Sequence, residues 1–489
     1  MFKDIMEILH RFYGNTKKGA ISHFITFMWF CVIVTGNMMK CEPCGVGTGT
    51  QIVWDLDEKY YSNILDWYRS KAVDDDCLRL TWAMIVQEKF ISYKIEEFTI
   101  YITDGVLNPK EGRRGSTVSR ITKESGTQSK PSTFYGASTG TLDILTCDKD
   151  SGKIFATPID MRFTHGMGPM ADWANSPCPD ARLSTEQQEI KMAEADFYRR
   201  GENAVLLADR ATMSHKSFER VQGIRENSDK ELWLVTCCKT RLDAYADPTP
   251  EDYKGVGRYP LVGKKIGLDK ADDKAKEFKE AEIEIYNSKE TVKYWSAVLM
   301  WGHTERRKLL FVICIRSDGE RIVIATDKLD MNPLTAIKLY SLRFMCEEGF
   351  KQYKHTLFGF DYHFWSKSMP WNSFVRKSGE PHPLELVTDL HDKEKIIEEF
   401  KASSRALMLG CIAQGLSQFL SQKEETGGLV QRFTIKRTYT QLKVSEHDIC
   451  HFLYENRNRI MDVYKDCNLI RFIKKRQRKE FSNEIMSII

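Results

Sequence analysis

Proline is scarce, with 14 in 489 residues, and no repeat or low-complexity tract interrupts the chain. That excludes a collagen-like, mucin-like or wholly disordered protein. A strong excess of one charge is also missing: 72 Lys+Arg stand against 68 Asp+Glu, a surplus of +4. So small a surplus neither demands nor excludes a nucleic-acid partner; the local distribution must decide. The 13 cysteines are odd in number and follow no repeating spacing. A disulfide-framed secreted domain would be shorter and denser in cysteine, so reduced intracellular thiols are expected. Cys41-Glu-Pro-Cys44 has the spacing of half a zinc site, but no second pair lies nearby, and a turn with two ordinary thiols accounts for it.

Only one stretch lacks charge over a long distance. From Gly19 to Met39 there is no Asp, Glu, Lys or Arg, which is long enough to cross a bilayer, and Lys17-Lys18 before it suits a signal peptide. His23, Thr26, Thr35, Gly36 and Asn37 interrupt it, and no second such stretch follows. The expectation is a buried core helix.

What is present has a clear order. Residues 1–92 carry helical spacing in Tyr60, Ile64, Leu65, Trp67 and Tyr68 and again in Leu78–Val86. The β-branched and aromatic run 98–103 then predicts a strand stopped by Asp104-Gly105. A basic loop follows (Lys110, Arg113, Arg114, Arg120, Lys123, Lys130), and two further strands are predicted at 133–147 and 153–162. Thr185 and Gln188 have capping-box spacing for a helix that ends at Arg199-Arg200-Gly201. The apolar run 204–208 predicts a strand buried on both faces, ending at Asp209. A helix (215–227) and a strand (231–238) complete a β-β-β-α-β-α-β order. Residues 240–330 read as a β-rich insertion with strands at 282–286, 294–300, 309–315 and 321–326. A long helix is expected from Leu334, and the chain from Pro381 is mainly helical, with a basic run at 471–479.

Asp104 and Asp209 each stand at the end of a predicted central strand, where paired carboxylates can hold a hard divalent cation. Asp also favours turns after strands for its own sake. The helix beyond the insertion adds Tyr340, Arg343, Glu347 and Lys354, a Y-x2-R-x3-E-x6-K pattern. On a single helix these four would share about 60° of arc. Ordinary residue frequencies give such a pattern by chance in well under about 1% of chains this long. A merely solvated face has no reason for this spacing.

This constellation resembles the DDE transposases of bacterial insertion sequences, in the class that carries the Y-R-E-K signature. Lys110-Glu-Gly-Arg-Arg114 and His363-Phe-Trp-Ser-Lys-Ser-Met-Pro370 also look like pieces of such enzymes. The resemblance implies an α/β fold: a ribonuclease H-like catalytic core with a β-rich insertion, flanked by helical N- and C-terminal regions. The expected divisions are 1–92 (helical, DNA-binding), 93–239 and 331–380 (the two parts of the core), 240–330 (insertion) and 381–489 (helical). It implies Asp104, Asp209 and Glu347 as catalytic ligands of two Mg²⁺ or Mn²⁺ ions, with Asp104 bridging them. Tyr340, Arg343 and Lys354 would bind the DNA phosphate. The implied activity is cut-and-paste transposition, with double-stranded transposon ends and target DNA as partners, a homodimer on DNA, no membrane, and a cytoplasmic, nucleoid-associated location. Two alternatives are a catalytically inactive or domesticated DNA-binding derivative and a plain metal-dependent nuclease. Trp295 and Trp301 are candidate base-stacking aromatics, each against the ordinary reading as a core tryptophan. Asp327 ends a predicted strand as Asp104 does, and is expected to lie outside the metal-binding set. Basic clusters at 110–123, 306–308 and 474–476 are candidate DNA contacts.

Overall fold

The computed structural model describes residues 1–15, 23–122, 133–148, 152–238, 242–253, 255, 257–270, 273, 276–285, 288–302, 305–372, 380–423, 430 and 444–478. Lys17-Lys18, Lys123, Lys130, the turn at 149–151 and Lys479 lie outside them. The N-terminal region is helical as expected: α1 (Phe2–His10), α2 (His23–Met38), α3 (Val46–Val53), α4 (Tyr61–Arg69) and α5 (Asp75–Lys89). Helix α2 is the described part of the uncharged stretch, and it is buried from Phe27 to Met38. Among the described residues no helix is long and apolar enough to cross a membrane.

Thirteen strands form one mixed sheet: β1 (Lys94–Ile95), β2 (Phe98–Pro109), β3 (Ser119–Thr122), β4 (Thr133–Cys147), β5 (Ile154–Phe163), β6 (Ala204–Ala208), β7 (Leu232–Cys237), β8 (Asp243–Tyr245), β9 (Lys265–Gly267), β10 (Lys279–Ile285), β11 (Ser288–Trp301), β12 (Arg307–Ile315) and β13 (Arg321–Thr326). Strands β2, β4 and β5 are antiparallel neighbours, and β6 and β7 run parallel to β2, giving the local order β5-β4-β2-β6-β7. The sheet continues without a break through β13-β12-β11-β8-β9. Strands β8 to β13 therefore extend the central sheet: β13 hydrogen-bonds directly to β7. The short strands β1, β3, β8 and β9 were not anticipated, because two to four residues cannot establish a period.

The helices α6 (Thr185–Arg200) and α7 (His215–Glu226) cover one face of the sheet, and α8 (Pro333–Leu342) the other, with α9 (Met345–His355) following it. Alternation in β2 explains both layers. Ile100 and Ile102 face the α8 side and Tyr101 the α6 side, all fully buried. The C-terminal region comprises α10 (Leu390–Ser421), α11 (Glu446–Glu455), α12 (Arg457–Val463) and α13 (Asn468–Lys474). Helix α10 packs on β5, α2 and α4, joining the N-terminal helices to the sheet. Side-chain caps start most of the longer helices: Asp74, Ser184, Ser214, Asn332, Asp389 and Ser445 each accept a backbone N–H. The cap of α6 is thus Ser184, one residue before the predicted Thr185. Ser184 takes the Gln187 N–H, and its extended backbone suits a cap.

Candidate active site

Strand β2 does not stop at Asp104-Gly105 as expected; it runs on to Pro109, with Gly105 opposite Gly140 of β4. The parallel pairing with β6, however, ends at Ile102↔Leu207. Asp104 and Asp209 each lie two residues beyond that pair, Asp209 already in the turn after β6, and close enough for the charge of Asp209 to act on Asp104. Asp209 caps the turn after β6, accepting the Ala211 N–H at 2.7 Å.

The single long helix expected from Leu334 is two helices. At Arg343 and Phe344 the hydrogen bonds tighten to i→i−3, with Arg343 N–H donating to Tyr340 and Glu347 N–H to Phe344. The four signature residues therefore do not lie on one straight helix face. Three still converge. Arg343 donates one N–H to Asp104 Oδ2 at 2.6 Å and another to Glu347 Oε1 at 3.0 Å. Tyr340 lies beside Arg343, its ring centre 5.9 Å from the Arg343 guanidinium carbon. Lys354 stands apart. It is exposed in the last turn of α9, about 10 Å further along the helix axis than Glu347.

Two acidic neighbours of Asp104 escaped the sequence reading. Glu189 of α6 is 5% exposed, and its Oε1 has no hydrogen-bond partner. The side chain lies over the facing glycines: a Cβ on Gly140 would meet Glu189 Cγ at 2.9 Å and Oε1 at 3.0 Å. Asp143 of β4 is also buried. Burial, then the charge of Asp104, raises both groups: Glu189 well above the usual carboxylate range, and Asp143 to about 8. Burial raises Asp104 as well; Arg343 opposes that and Asp209 adds to it. The Cys346 thiol donates to Asp104 Oδ2 at 3.4 Å. In a polar run such as Thr185–Glu189 nothing marks one Glu as buried; the only available signal was the glycine pair that clears its space.

The donor chemistry suits hard divalent cations, since carboxylates outnumber the single guanidinium. The spacing does not yet match: among the described residues no three His, Cys, Asp or Glu side chains converge on a metal-holding point, and Arg343 spans Asp104 and Glu347 instead. The Cys41/Cys44 pair likewise joins no such group. Neither family models, curated proteins nor solved structures match this chain.

The remaining candidates sort by their contacts. Asp327 is buried, accepting Arg225 at 2.9 Å and the Leu234 N–H at 3.0 Å. It follows β13, which runs antiparallel to β7, so it sits at the opposite end of the sheet from Asp209. Trp301 is 9% exposed and stacks on His215 with ring centres 4.0 Å apart, a core packing role. Trp295 is half-buried beneath Lys276 at 5.6 Å. Much of the basic clusters is engaged within the chain: Arg307 with Gln222, Lys308 with Asp247, Lys474 with Asp462, and Arg476 over Phe472.

Proposed function

We propose that this chain is a DNA transposase of the DDE type, cutting transposon ends and joining the freed 3′-hydroxyl to target DNA. The observation that carries the reading is Arg343, which ties Glu347 to Asp104, itself close to Asp209, across 243 residues of sequence. The order β5-β4-β2-β6-β7, three antiparallel strands followed by two parallel ones, is the arrangement a ribonuclease H-like core requires, and it supports the same reading. Asp104, Asp209 and Glu347 would hold the two divalent ions. When bound, such ions would supply activation of an oxygen nucleophile and charge stabilisation for the leaving oxygen. Arg343 has donors to spare for a phosphate beside the cut, in the fork geometry that phosphate favours. Tyr340 buttresses Arg343. Lys354 reaches solvent from α9 and suits a more distant phosphate.

The alternative is a DNA-binding derivative without catalysis. One assay separates the two. A labelled end, taken from inverted repeats in the DNA flanking the gene, is incubated with the chain and Mg²⁺. Cleavage and strand transfer are expected, falling by orders of magnitude in Asp104→Asn, Asp209→Asn and Glu347→Gln while end binding persists. Glu348→Gln is the control, since Glu348 faces Lys351 at 3.7 Å and not the carboxylates. A dead Glu348 variant beside an active Glu347 variant would overturn the assignment.

A further inference from the structure

The Arg343 guanidinium fills the gap between two of the carboxylates. Its two terminal nitrogens donate separately, one to Asp104 Oδ2 at 2.6 Å and the other to Glu347 Oε1 at 3.0 Å. Both oxygens of Asp104 are engaged, since Oδ2 also takes the Cys346 thiol at 3.4 Å and Oδ1 takes the Gly105 N–H at 2.8 Å. The Arg343 and Asp104 side chains are 18% and 15% exposed, whereas Glu347 is 47% exposed. The inner contact is therefore shielded from water and the outer one is not.

The clamp sits on a joint. Arg343 ends α8, and Glu347 belongs to the first turn of α9. Between them the backbone hydrogen bonds tighten to i→i−3, and Phe344 is 41% exposed. A short tightened stretch within a helical run is a common hinge. A small shift between α8 and α9 there would carry Arg343 off Asp104 without unpacking a buried ring at the joint.

A guanidinium and a divalent cation cannot share these oxygens: they repel each other and need the same lone pairs. We propose that Arg343 is a latch, holding Asp104 and Glu347 closed to divalent cations until a DNA phosphate draws its guanidinium away. Anion and cation then favour each other without touching, because each needs the same contact broken. Coupling of this kind is reciprocal and typically about 5–150-fold. The choice of a DNA phosphate rests on the function proposed above; the competition between Arg343 and a cation does not.

Mn²⁺ is the probe, its free concentration followed by electron paramagnetic resonance. It is titrated into full-length chain with and without the end duplex, and into the duplex alone for subtraction. The wild type should bind Mn²⁺ weakly by itself and about tenfold more tightly with duplex. Arg343→Gln should show about that gain without any DNA, and the duplex should add little. Arg343→Lys keeps a cation beside Asp104 but has no fork to span both carboxylates. Its Mn²⁺ affinity should fall between the two, and it decides the matter if the glutamine variant does not unfold cooperatively. Equal Mn²⁺ affinity in the wild type and both variants without DNA overturns the latch. So does a wild type whose Mn²⁺ affinity ignores the duplex, or a duplex effect of one size in all three chains, which would mean that phosphate and cation meet directly. Cleavage is read on the same preparations. A chain that cleaves with no variant effect on Mn²⁺ loses the latch and keeps the proposed activity; one that shows the coupling and never cleaves does the reverse.

Discussion

At the scale of single residues, Arg343 has a structural duty that its place in the signature does not disclose. It is the cation beside a buried Asp104, and both side chains are less than one-fifth exposed. Arg343→Ala should therefore do more than weaken DNA positioning. Breaking one side of a buried pair costs roughly 3–5 kcal/mol because the remaining charge is stranded. Adding Asp104→Asn should restore most of that loss, and urea unfolding of the two single variants and the double variant measures the coupling. Additive losses would show that the pair is not the cause. Asp143 gives a second test. It holds its proton to about pH 8 when folded, whereas an unfolded aspartic acid ionises near pH 3.9. Between those values the unfolded chain releases a proton that the folded chain keeps, so stability falls as pH rises, by up to about 5 kcal/mol. Asp143→Asn should match the wild type near pH 4 and melt at a higher temperature near pH 8. Parallel melting profiles across that range would refute the burial argument. Asp104, Asp209 and Glu347 stand out in the sequence through turn-like strand stops and a spaced motif, although β2 in fact runs on past Asp104. Asp143 and Glu189 do not, because their burial comes from neighbours distant in sequence.

At the scale of elements, strands were readable where both faces are buried. The runs 98–103 and 204–208 are apolar or β-branched throughout and became β2 and β6. The extension of β2 past Asp104 was hidden by Gly105, which punctuates a turn locally but here faces Gly140 under the Glu189 side chain. The break between α8 and α9 was equally hidden, since Arg343 and Phe344 both keep right-handed helical dihedrals and only their hydrogen bonds tighten. Helix α10 carries its own constraint. Gly415 touches the Trp82 ring so closely that a Cβ could not fit, and Trp82 is fully buried, its indole N–H donating to the Pro158 carbonyl at 2.8 Å. Gly415→Ala would gain about 1 kcal/mol of helix propensity. Overpacking of that size costs about 1–3 kcal/mol, so a net loss of stability is expected. Shortening Trp82 in the same chain should relieve part of it. A more stable Gly415→Ala variant would mean that the ring moves freely.

At the scale of the molecule, residues 240–330 read in sequence as an insertion, and an insertion can ordinarily be removed. The sheet argues otherwise. β13 pairs with β7, and the apolar side chains of β12 and β13 share a core with β2, β6 and α8. Replacing Asp243–Thr326 by a short linker would bare the β7 edge and one face of α8, a surface that invites aggregation. The shortened chain is expected to lack a cooperative unfolding transition by calorimetry. A soluble product with a sharp transition would show that 93–239 and 331–380 stand alone. The buried α2 has a different implication, for synthesis. Its apolar surface is covered in part by α10, which begins 352 residues after α2 ends. At about 5–20 residues per second, a ribosome needs roughly 20–70 s to supply that partner. Throughout that interval the growing chain presents an uncharged, apolar helix to whatever factors meet it at the exit tunnel, so its early handling depends on how those factors read α2 before α10 arrives.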